Sequence, residues 1–82
     1  MMTVRALFFA SYRDFAGQDE LEVEVPPGVS VRELVRLLRA RGGGWARLPE
    51  APVVAVNMEY VDLSTRLSAG DEVAFIPPVS GG

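Results

Sequence analysis

The sequence predicts an α+β fold: a mixed β-sheet with one main helix laid across one face. Three observations predict it. Residues 20–25, Glu-Leu-Glu-Val-Glu-Val, alternate without a break, which is the period of a half-buried strand. Val31, Leu34, Val35 and Leu38 recur at helical spacing and make a single apolar stripe. Apolar, β-branched and aromatic runs near both ends of the chain, at 3–9 and 72–76, read as further strands. One stripe can cover only one face of a sheet, so the other face has no helix to cover it.

Taken in order, Thr3–Phe9 forms the first strand. Arg5 faces solvent, so Val4, Ala6 and Phe8 turn to the core, and Leu7 and Phe9 share the face of Arg5. Residues 11–16 make a short helical turn ended by Gly17. In the strand at 20–25, Leu21, Val23 and Val25 go in and Glu20, Glu22 and Glu24 go out. Pro26-Pro27-Gly28 stops that strand with a type II turn. Ser30 and Glu33 form a capping box that starts the main helix. Arg39 and Arg41 suit the negative end of its dipole, and Gly42-Gly43-Gly44 ends it.

A linker containing Trp45 follows. Residues 53–57 then read as a buried strand, and Asn57-Met58-Glu59-Tyr60 as a hairpin turn into a short strand. Ala69-Gly70-Asp71 turns the chain into the last strand, Glu72–Ile76. Pro77-Pro78 closes it, because proline has no N–H for a ladder. The order β-β-α-β-β-β with one covering helix is that of a β-grasp, or ubiquitin-like, roll. Its length of 82 residues sets a single domain, 1–82, with residues 77–82 as a flexible tail.

Composition narrows the chemistry. Cysteine and histidine are both absent, which excludes disulfides, the usual zinc ligand sets, thiolate-held clusters and His-based catalysis. Lysine is absent too: all eight basic residues are arginine, so Schiff-base chemistry and a phosphate-loop lysine are excluded. No metal site and no cofactor held by this chain is expected. The net charge of −3 argues against a general nucleic-acid binder. No run approaches the length of a membrane span, and no targeting segment is evident, so the cytoplasm is the expected location.

Five of the eight arginines, Arg32, Arg36, Arg39, Arg41 and Arg47, fall within 32–47. Without interleaved aromatic residues they read as a solvated helix face. Glu20, Glu22 and Glu24 read as a solvated strand face, since nothing isolates or desolvates one carboxylate from the others.

The tail Pro77-Pro78-Val79-Ser80-Gly81-Gly82 is the leading candidate site. The prolines give a stiff, extended exit, and the two glycines leave no side chain beside the α-carboxylate. Such an arm can thread a narrow channel in another protein. A carboxylate resists nucleophiles until its oxygen becomes a leaving group, and adenylation by a partner would achieve that.

The ending Gly-Asp-Glu-Val-Ala-Phe-Ile-Pro-Pro-Val-Ser-Gly-Gly, the early Leu-Phe-Phe-Ala, Val56-Asn57, and Arg13 with Gly17 closely resemble the MoaD-type sulfur carriers, the small subunits of molybdopterin synthases. The resemblance spans the whole chain. It implies that an E1-like activating enzyme adenylates Gly82 with ATP, that a persulfide sulfur donor then displaces AMP to leave a C-terminal thiocarboxylate, and that the large synthase subunit receives the tail. There the sulfur passes to a pyranopterin precursor of the molybdenum cofactor, within a heterotetramer. Gly82 is then the reacting residue, and Gly81, Ser80, Val79, Pro78 and Pro77 are held by the partner. Phe9, Tyr60 and Ile76 match the family's apolar contact residues and form a candidate docking patch. Terminal Gly-Gly is shared with carriers for thiamine synthesis and tRNA thiolation and with protein modifiers conjugated through the C-terminus. The absence of lysine favours a carrier over a chain-building tag. By itself the chain is expected to turn nothing over; it is a sulfur-donating subunit of a sulfurtransferase complex.

Overall fold

A computed structural model describes residues 1–78. The expected roles of Val79, Ser80, Gly81 and Gly82 fall outside the described residues.

Five strands form one mixed sheet in the order β2-β1-β5-β3-β4. They are β1 (Met2–Phe8), β2 (Glu20–Val25), β3 (Val53–Val56), β4 (Glu59–Val61) and β5 (Glu72–Ile76). β1 pairs antiparallel with β2 and parallel with β5, and β3 pairs antiparallel with both β5 and β4. The last strand therefore lies at the centre of the sheet, and the chain leaves it there. The helices are α1 (Ala10–Ala16) and α2 (Val31–Arg39), with a 3₁₀ helix over Gly43–Arg47.

The alternation in β1 and β2 produces the expected burial. Val4, Ala6 and Phe8 are buried, as are Val23 and Val25, while Leu21 at the strand's start is half-buried. Val29 N–H bonds the Pro26 carbonyl at 3.2 Å across a turn whose Gly28 has φ +76°, a conformation that disfavours any side chain.

The capping box of α2 is formed in full. The Glu33 N–H donates to Ser30 Oγ at 3.2 Å, and Ser30 N–H donates to Glu33 Oε1 at 3.2 Å. The next orphan donors are also met: Val31 N–H reaches the Thr65 carbonyl at 2.9 Å, and Arg32 N–H that of Leu63 at 3.0 Å. The segment before β5 thus clamps the start of α2. Val31, Leu34, Val35 and Leu38 are all buried against the sheet. Burying one such side chain fully contributes about 1.5–3 kcal/mol. Phe8 and Phe75 stack at 5.5 Å with their rings nearly parallel, at 7°, in the middle of this core.

Two elements differ from the sequence reading. The triple glycine does more than stop α2: Ala40 caps the helix, and Gly43 and Gly44 begin the 3₁₀ helix. The expected linker is therefore ordered. Trp45 meets Phe8 edge-on at 5.2 Å, and Leu48 is fully buried. A Cβ on Gly44 would collide with the backbone carbonyl of Phe15, so the close packing of this helix on α1 requires glycine. Secondly, β1 ends at Phe8. Phe9 is still extended, with φ −118° and ψ 152°, but Ala10 turns to φ +47° and the chain enters α1.

Candidate functional site at the root of the tail

β5 points its odd residues inward and its even residues outward. Val73 and Phe75 are fully buried, whereas Ala74 and Ile76 lie half-buried on the uncovered face. Strand register then decides their neighbours. Leu7 sits beside Ala74, Ala74 beside Ala55, and Ala55 beside Tyr60, in one row across four strands. One step further along β5, Ile76 sits beside Val53. The β1–β5 pairing runs to Phe8 and Phe75, so Phe9 follows at the level of Ile76.

These two rows make the end of the sheet nearest the tail apolar. Phe9 is 47% exposed, Val53 55% and Tyr60 74%. Between Leu7 and Tyr60 this row carries only the small side chains of Ala74 and Ala55. The opposite half of the same face is charged and polar. Arg5 pairs with Glu20 at 3.5 Å, Glu72 lies beside Arg5 on β5, and Asn57 hydrogen-bonds Asp71 and the Glu72 amide, each at 3.0 Å. β5 therefore runs from a polar half into an apolar half and releases Pro77 and Pro78 from the apolar end. Pro77 is half-buried and Pro78 exposed.

The structure thus brings Phe9 and Ile76 to one level and sets Tyr60 at the far side of the same face. Val53 fills the space between and was missed by the sequence reading, which took 53–57 as wholly buried. The run Val-Val-Ala-Val carries no polar residue to mark its phase. The signal that would have found Val53 is the alternation itself: if Val54 and Val56 face the core, Val53 cannot.

Among the described residues no cluster of carboxylates is placed to hold a metal ion. A surface concavity of about 790 Å³ is an open groove on the β1–β2 side, lined by Thr3, Arg5, Glu20, Glu22 and neighbours. It contains none of the candidate site residues, and its carboxylates face water and arginine. No helix among the described residues is long and apolar enough to cross a membrane.

Comparison with known proteins agrees with this geometry. The molybdopterin synthase sulfur carrier subunit of Chlamydomonas reinhardtii is 36% identical over 83 residues, covering 99% of this chain and 100% of the relative. The subunit of the same name from Escherichia coli K12 is 39% identical, covering 96% and 99%. Among solved structures, a putative molybdopterin converting factor subunit 1 from Pyrococcus furiosus superposes with a TM-score of 0.83 at 34% identity, covering 96% of this chain and all of that one. The small archaeal modifier protein 1 of Haloferax volcanii gives 0.75 at 26% identity, covering 96% and 100%. A chain from the complex of subunits 1 and 2 of the molybdopterin-converting factor of Helicobacter pylori gives 0.72 at 26% identity, covering 99% and 100%. The ThiS family pattern matches residues 6–82, nearly the whole sequence including the Gly-Gly ending. The fold is accordingly the ubiquitin-like β-grasp, and the chain belongs to the ThiS family.

Proposed function

We propose that this chain is the sulfur carrier subunit of a molybdopterin synthase, acting in the cytoplasm through its own C-terminal carboxylate. The observation that carries the reading is the central strand β5. It delivers Pro77-Pro78 from the apolar end of an otherwise polar sheet face, and in the sequence Gly81-Gly82 follow. The near-full-length identity to sulfur carrier subunits supports it.

In this reading an E1-like enzyme supplies ATP and the activation chemistry. A carboxylate oxygen of Gly82 attacks the α-phosphorus and expels pyrophosphate, leaving an acyl-adenylate. Glycine offers no Cβ to obstruct the next attack. The terminal sulfur of a donor persulfide adds to the acyl carbon and AMP departs. A thiol then cleaves the sulfur–sulfur bond, and the sulfur stays on Gly82 as a thiocarboxylate. The large synthase subunit receives the tail, and the sulfur moves to the pyranopterin precursor. This chain's residues supply docking and reach: Phe9, Val53, Tyr60 and Ile76 hold the partner, while Pro77, Pro78, Val79, Ser80 and Gly81 set the arm in its channel. ATP acts at the activating enzyme and is not held here.

The test is intact mass after incubation with ATP, the activating enzyme and a sulfur donor. The expected product exchanges one oxygen for one sulfur within the C-terminal peptide. An added C-terminal alanine abolishes the exchange. The likeness to an archaeal modifier protein supports a second reading, as a covalent tag. A product joined whole to a lysine of another protein, without sulfur exchange, would replace the carrier reading with that one.

A further inference from the structure

Among the described residues, φ is positive at five glycines, at Asn57 and Met58 of the hairpin turn, and at Ala10. The turn type demands it in the hairpin. Ala10, with φ +47°, belongs to no hairpin, and there an L-residue's Cβ crowds the carbonyl oxygen that follows. Glycine would hold the same conformation without that strain. Packing does not reward the methyl either, because Ala10 is exposed. A strained residue whose side chain stabilises nothing in the fold points to a role outside it.

The residues on either side fix where the strain falls. Phe8 is buried opposite Phe75, and its N–H donates to the Asp19 carbonyl at 2.8 Å. Tyr12 is buried, with its ring 5.5 Å from that of Phe15. Only residues 9–11 remain to turn the chain from β1 into α1. Phe9 stays extended, and its carbonyl accepts the Tyr12 N–H at 3.0 Å and the Arg13 N–H at 3.4 Å. The change of direction therefore falls on Ala10. Phe9 itself is 47% exposed, so packing does little to hold its ring. Its direction is set by backbone: by its own extended conformation and by the narrow left-handed well open to a residue with a Cβ at position 10. Glycine at that position has a far wider range.

We propose that Ala10 is a positioning residue for Phe9. Its methyl confines the strand-to-helix turn to one conformation, so that Phe9 meets the large synthase subunit already aimed. The proposal rests on the carrier reading above and on the docking role given there to Phe9. An anchor ordered before contact avoids the loss of freedom that binding would otherwise impose on it. Ala10 touches no partner group in this arrangement and acts only through Phe9.

Calorimetry of the full-length chain against the large synthase subunit tests this, together with urea unfolding and NMR relaxation of the free chain. Ala10→Gly is expected to weaken binding by about threefold while the unfolding midpoint holds or rises. In the free chain the same variant lowers the order parameter of the Phe9 amide from the rigid range, about 0.85, towards 0.6. Ala10→Asn keeps a Cβ, tolerates the left-handed region and retains the affinity. Phe9→Ala weakens binding, and adding Ala10→Gly to it brings no further loss. Unchanged affinity or an unchanged order parameter in Ala10→Gly overturns the proposal. So does a further loss on top of Phe9→Ala, which would show that Ala10 does not act through Phe9. A lowered midpoint accompanying the loss of affinity would make Ala10 a merely structural residue and overturn it too. Each of these results leaves the carrier reading standing. Absence of binding by the unmodified chain overturns the carrier reading, and this proposal with it.

Discussion

Asn57 ties the β3–β4 hairpin to the start of the tail strand: its Nδ2 donates to Asp71 Oδ1 at 3.0 Å, and its Oδ1 accepts the Glu72 N–H at 3.0 Å. The backbone joins in, with Asn57 N–H on the Glu72 carbonyl at 2.8 Å. Asn57 and Met58 have φ of +49° and +73°, the signature of a type I′ hairpin turn, and asparagine tolerates that conformation well. Asn57→Ala removes both side-chain bonds and strains the turn. The expected loss is about 1–2 kcal/mol in urea unfolding, with the folded circular dichroism unchanged. An unshifted midpoint would show that the tie contributes nothing.

Gly44 packs too closely on Phe15 to carry a side chain. Gly44→Ala should push the 3₁₀ helix from α1 and cost about 1–3 kcal/mol. Trp45 is the only tryptophan and touches Phe8, so its emission reports the displacement directly. Native emission with native stability would refute the steric argument.

Replacement of Phe9 or Val53 by arginine should separate docking from folding. Both side chains are about half exposed, so the folded state loses little when either is replaced. Phe9→Arg and Val53→Arg are each expected to weaken binding to the large synthase subunit by about tenfold or more, with thermal unfolding close to that of the unmodified chain. Equal affinity in calorimetry would remove the apolar end of the sheet from the interface.

Two exposed carboxylates predict the direction of acid sensitivity. Glu33 is held below the usual range first by the Ser30 backbone N–H and then by the Ser30 hydroxyl. Asp62 is lowered first by the Ser64 hydroxyl and then by the Ser64 N–H. A carboxyl with a lower pKa in the folded state binds its proton more readily when unfolded. Its contribution is therefore complete above the ordinary carboxylate range, whose values here are 4.5 and 3.8, and is lost as the pH falls through the depressed folded values. Both groups face water, so the effect is small. Denaturant unfolding at pH 7 and pH 3 should show a smaller drop for Glu33→Gln/Asp62→Asn than for the unmodified chain. Parallel losses would assign acid sensitivity to other groups.

Local sequence signals determined the elements and most of the core. Alternation fixed the faces of β1 and β2, because polar residues mark the phase at every second position of β2 and at Thr3 and Arg5 of β1. The Ser30–Glu33 box and the stripe from Val31 to Leu38 set where α2 begins and which side it buries. The Gly-Gly ending and the residues before it carried the family resemblance without any reference to shape. Those signals depend only on neighbours within a few positions, so they survive reading one residue at a time. The remaining features depend on contacts between distant segments. Only the tertiary structure decided that β5 lies between β1 and β3, that Val53 therefore sits beside Ile76, and that Gly44 fits under Phe15. Each of these is set by strand register or by the approach of two backbones, and neither leaves a period in the sequence.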